Sequence, residues 1–223
     1  MLAALPGLAL AASLGSTVPS RSTGVGTLTF GASDDLAYRR VDPDEPALRE
    51  TLLSLRADLV PLDGLGLWVS GARRTSRLRT LGYSGAGFEV QGGVRSAIFV
   101  GRWLGLGAVA AAGLGRETSS GGANSRALLS VDVGAQLLVG AAGGPHAWLG
   151  VGATPYLSDT LVRGELETRL RAPSLPLQLC VGTELWSDDI VSPPARVSPR
   201  LAIGTELRML SGFGLSAWIS VGL

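Results

Sequence analysis

Few side chains in this 223-residue sequence are spaced for chemistry. His146 is the only histidine. A Ser–His–acid hydrolase needs such a base beside an activated serine, but serines are plentiful here and nothing marks one near His146. Pro145 before it places it at a turn where a strand begins, so a turn role is expected and no catalytic residue is assigned. One His and one Cys cannot build a typical zinc site. The acidic run Asp34, Asp35, Asp42, Asp44 and Glu45 lacks the spacing and central glycine of a calcium loop and reads as a solvated loop. Cys180, between Leu179 and Val181, reads as a small passive residue on the polar face of a strand. The Gly-x-Gly fragments at 64–66, 105–107 and 150–152 fall inside alternating segments. They mark bends in a curved sheet, not phosphate loops at strand-to-helix turns. No enzyme activity, metal or cofactor is therefore expected.

The densest basic cluster is Arg73, Arg74, Arg77 and Arg79. Guanidinium forks match phosphate, so an anionic lipid head group is one expected partner, and a solvated loop is the plainer alternative. Nucleic acid is not expected: the net charge is only +1, and the cluster has no interleaved aromatic residues.

Composition sets the elements that must hold these residues. Charged residues are 17% of the chain, below the roughly 25% of soluble domains. Glycine is abundant at 32 residues, and mean hydropathy is positive. Beyond the N-terminus no apolar run approaches the roughly 20 residues of a spanning helix. Alternation explains this combination, since a strand can hide an apolar half among polar neighbours. In 213–223, Phe213, Leu215, Ala217, Ile219, Val221 and Leu223 share one face. Gly214, Ser216, Trp218, Ser220 and Gly222 share the other. Similar patterns predict strands over 24–32, 50–60, 65–72, 84–100, 104–116, 125–139, 146–156, 161–172, 175–186 and 196–209.

These features resemble Gram-negative outer-membrane β-barrels as a class, which end on such an apolar alternating strand. The resemblance covers about residues 22–223 and implies an all-β, antiparallel up-and-down transmembrane barrel of about 10–12 strands in the bacterial outer membrane. Eleven segments conflict with the even number such barrels carry. One must be missing, split or false, and the direction of the last strand hangs on which. Residues 1–20 read as a signal peptide or its remnant, although no basic residue precedes Arg21; residues 21–223 form the barrel domain. Short connections are expected near 61–64, 101–103, 140–145, 173–174 and 210–212, with a brief one near 157–159. Long ones are expected at 33–49, 73–83, 117–124 and 187–195. Trp68, Trp103, Trp148 and Trp186 fall near strand ends, where aromatic girdles sit; Trp218 does not.

The face opposite the apolar one carries Arg56, Arg95, Arg163, Arg169, Arg171, Arg200 and Arg208, with Asp58, Glu89, Asp132, Glu165, Glu167, Glu184 and Glu206. These form the expected barrel interior, balanced in charge and filled by Arg–carboxylate pairs. The expectation is a non-enzymatic outer-membrane protein with a narrow or filled lumen, structural or surface-binding, in contact with outer-membrane lipids including lipopolysaccharide. A narrow channel for small solutes and a soluble all-β binding protein are the alternatives.

Overall fold

The computed structural model describes residues 26–39, 42–78, 82–140, 145–171, 177–186, 200–209 and 213–222. The expected signal segment 1–20 lies outside them, as do Arg79 and the side chains of Arg169, Arg171, Trp186 and Arg200.

Eleven segments form one antiparallel sheet: β1 (Gly26–Arg39), β2 (Asp42–Leu62), β3 (Leu65–Leu78), β4 (Tyr83–Val100), β5 (Leu104–Ser119), β6 (Asn124–Gly140), β7 (His146–Arg163), β8 (Leu166–Arg171), β9 (Leu177–Trp186), β10 (Arg200–Met209) and β11 (Phe213–Gly222). Neighbours in sequence pair, and the sheet closes where β1 pairs with β11. Among the described residues there is no helix.

The barrel has ten strands, because β8 and β9 are two parts of one. The upper end of β7 pairs with β8, Arg163 opposite Leu166. Its lower half pairs with β9, from Ala153 opposite Leu177 to His146 opposite Glu184. The predicted strands 161–172 and 175–186 are thus corrected. The chain turns at Gly164 and Glu165, with Gly164 at φ 57°, a backbone region that favours glycine. No turn back occurs between β8 and β9. This restores even parity. The start of β1 and the end of β11 lie together, Thr27 opposite Gly222, at the end that carries the Asp63–Gly64 turn and the turn at 101–103.

The expected rhythm of loop lengths holds only in part. Most of 33–49 and 73–83 and half of 117–124 is strand, because the hairpins run on past the predicted strand ends: Leu78 pairs with Tyr83, and Thr118 with Ser125. The 187–195 connection, outside the described residues, leaves from the end with the short turns, and the β10–β11 turn lies at the other. Residues 157–159 are strand, paired with β6. The irregularity falls just before them, where the register slips between Val131 and Val133 opposite Thr154 and Pro155. Proline cannot donate to the ladder and is at home in such a bulge.

Alternation shapes both faces. Outward rows run level across the strands: Leu55, Gly71, Val90, Leu114 and Leu129 in one, and Leu59, Leu67, Val94, Ala110 and Val133 in another. Leu106, Ile98, Ile203, Leu215 and Ile219 are also exposed. From Leu104 to Leu114 on β5, at the usual rise and strand tilt, this belt is about 25 Å tall, the height of a bilayer's apolar layer. A closed sheet leaves no unpaired edge in that layer.

The inner face is fitted through glycine. Three inward tryptophans each lie directly opposite a glycine on the next strand: Trp68 and Gly93, Trp148 and Gly182, Trp218 and Gly204. A Cβ on Gly182 or Gly204 would come within 2.2 Å of the facing ring. Trp148 and Trp218 stack with ring centroids 6.0 Å apart. Trp68 and Trp148 therefore belong to the lumen and not to a membrane girdle, whereas Trp103 is exposed at a turn, where girdle residues sit.

Candidate functional site

The lumen holds the molecule's concentration of charge. At its upper end, away from the chain termini, Arg74 and Arg126 are both fully buried. Arg74 on β3 pairs with Glu50 on β2, Glu89 on β4 (2.6 Å) and Glu117 on β5 (2.6 Å). Arg126 on β6 holds Asp159 on β7 through two parallel bonds of 2.8 Å. It also reaches Glu50 (2.8 Å) and Glu117 (3.6 Å). Ser76 donates to Glu117, and Gln91 to Glu89. The Glu50–Arg126 pair joins strands four places apart round a ten-stranded wall, so it crosses the lumen instead of lining it. Two arginines among four carboxylates satisfy much of what burial would otherwise make costly.

Beside this layer, Arg208 on β10 pairs with Asp35 on β1 (2.9 Å) and donates to Ser216 (2.8 Å). Below it come the indoles: Trp148 Nε1 donates to Glu206 (3.1 Å) and Trp218 Nε1 to Glu184 (3.0 Å). Asp132 accepts from Thr154 (2.6 Å) and Ser130 (2.9 Å) opposite the bulge. Lower still, Asp58 holds Arg56 (2.6 Å) and Arg95 (2.9 Å), and the Arg56 guanidinium lies 4.6 Å from the centre of the Trp68 ring. A cavity on this side is lined by Thr27, Thr29, Ser54, Ser70, Ser216 and Ser220 among others. It leaves ≈ 80 Å³ for the centres of water molecules, room for roughly half a dozen waters.

Eight residues of the expected interior set face inward: Arg56, Asp58, Glu89, Arg95, Asp132, Glu184, Glu206 and Arg208. Arg163 is half-buried at the rim. Glu165 and Glu167 are exposed, which corrects their placement. The two-residue turn puts Arg163 and Leu166 opposite one another on the same face, so the inward set changes from odd to even positions across it. Among the described residues the buried charges are nine carboxylates and four arginines, with Arg56 and Arg163 half-buried; Arg169, Arg171 and Arg200 of the expected balance lie outside the described side chains.

Sequence reading missed Asp35, Glu50, Arg74, Glu117, Arg126 and Asp159. The available signal was the continuation of each strand's alternation past the length that crosses a bilayer. Of the presumed head-group cluster, Arg74 is the centre of the luminal network and is no surface residue. Arg73 and Arg77, one face over, are exposed on the outside. His146 is also luminal, its ring 5.8 Å from Trp148. Among the described residues no cluster of His, Cys, Asp and Glu is arranged to hold a metal.

No family model matches the chain, and no curated protein does. Among solved structures it is similar to the translocator domain of the autotransporter NalP from Neisseria meningitidis. That likeness has a TM-score of 0.52 and 12% identity, over 92% of this chain and 90% of that one. The transport unit of the autotransporter AIDA-I from Escherichia coli matches with a TM-score of 0.38 and 9% identity, over 90% of each chain. At such identities the first likeness concerns the fold alone, a closed antiparallel β-barrel.

Proposed function

We propose that this outer-membrane barrel is a non-enzymatic scaffold whose lumen is closed, with binding carried out at its outer surface instead of through a pore. The observation that carries this is the Glu50–Arg126 pair, which crosses the lumen within a network contributed by six consecutive strands, β2 to β7. A translocation role, which the name of the NalP domain suggests, needs a passage for a polypeptide. The buried Arg74–Arg126 layer occupies that place. The stacked indoles beneath it support the same reading, since both are bonded to carboxylates of other strands.

Planar bilayer recording tests the proposal. Refolded protein is expected to add no stepwise conductance to a bilayer, and proteoliposomes are expected to retain small solutes. Reproducible unit conductance from the unaltered chain would refute it.

A further inference from the structure

The outer face is apolar until the row above the belt. There, Leu53, Arg73, Phe88, Arg116 and Ala127 stand side by side on β2 to β6. Arg73 and Arg116 flank Phe88, which is 73% exposed. Two rows higher, Arg49 and Arg77 are directly opposed across β2 and β3, a like-charge pairing that sheets avoid. Asp34 answers Arg49 at 2.6 Å. No described side chain is paired with Arg73, Arg77 or Arg116. The hairpins run on past the apolar belt at this end and stop near it at the other, which marks this end as the extracellular one, so these arginines ring the outer leaflet. Among the described residues, the exposed charges on the far side of the rim are Glu165 and Glu167.

We infer that Arg73, Arg77 and Arg116, with Arg49 beside them, bind a multiply phosphorylated glycolipid of the outer leaflet. Arg73 and Arg116 are two strands apart, roughly 10 Å, and Arg77 is four residues above Arg73, on the order of 13 Å along the strand. One phosphate cannot serve both levels, whereas a head group carrying two can. Phe88 and the Leu55–Val90–Leu114 row below offer apolar surface for the acyl chains. The inference rests on the outer-membrane reading and not on the closed lumen, so lipid binding and conductance fail separately.

The test is native mass spectrometry of the full chain in neutral detergent, titrated with bis-phosphorylated lipid A, its monophosphorylated form or phosphatidylglycerol. Bis-phosphorylated lipid A is expected to bind tightest. Replacing Arg73, Arg77 and Arg116 together by Gln should weaken it on the order of 100-fold, at the usual contribution of each arginine near an anionic surface. Arg102→Gln, at the periplasmic turn, should leave it unchanged. Faster gel mobility before boiling verifies that each variant is a folded barrel. Should the triple variant not fold, Arg73→Gln and Arg116→Gln singly are each expected to cost about fivefold. Equal binding of phosphatidylglycerol, undiminished binding by the folded variants, or equal loss in Arg102→Gln would overturn the inference.

Discussion

Arg73 and Arg74 are neighbours in sequence and inhabit different solvents. One faces the outer leaflet; the other is enclosed by Glu50, Glu89 and Glu117. A strand separates successive side chains by half a turn, so a cluster in sequence is two clusters in space. Removing one luminal arginine takes a counter-charge away from carboxylates that face each other. Arg126→Ala, which removes the bonds to Asp159, Glu50 and Glu117 from a fully buried layer, is therefore expected to destabilise the barrel by about 3–5 kcal/mol. Urea unfolding in detergent, followed by gel mobility before boiling, measures this. Replacing Arg73 by Ala, on the outer face, should change the same midpoint little, as exposed charges do.

At the scale of the elements, the inward tryptophans depend on the glycines they face. Gly204→Val would put a side chain where the Trp218 ring lies, and overpacking of this kind costs about 1–3 kcal/mol. If the seat is the cause, Gly204→Val combined with Trp218→Ala should be less destabilised than the two single changes sum to. Additive losses in a double-mutant cycle would show the pair to be uncoupled. The hairpin at Gly164–Glu165 shows why one element was misread. Alternation in 161–172 continues unbroken through a two-residue turn, so periodicity alone sees a single strand. Only pairing tells that Leu161 opposes Thr168 across the hairpin. Residues 173–174, between β8 and β9, read in sequence as a turn, and proline interrupts a ladder. The strand resumes beyond them on the same partner, β7.

For the molecule as a whole, closure brings charges of distant strands into one lumen. Among the described residues, nine buried carboxylates against four arginines favour cations. An Arg74→Ala, Arg126→Ala double variant that still folds is expected to open a leak that prefers potassium to chloride. Reversal potentials under a salt gradient measure this, and an anion-selective leak would show that other charges dominate the passage. The all-β class, the apolar belt and most of the strands were legible in the sequence, because a period of two with one apolar face follows from contact with two solvents. The inward direction of Arg56, Asp58, Glu89, Arg95, Asp132, Glu184, Glu206 and Arg208 followed from the same period. What only the tertiary structure decided was which strands are one, where the strands continue above the belt, and which charges meet across the lumen. Glu50 and Arg126 are 76 positions apart and come together at 2.8 Å because the sheet curves shut between β1 and β11. That curvature is a sum over ten pairings, and no local pattern records it.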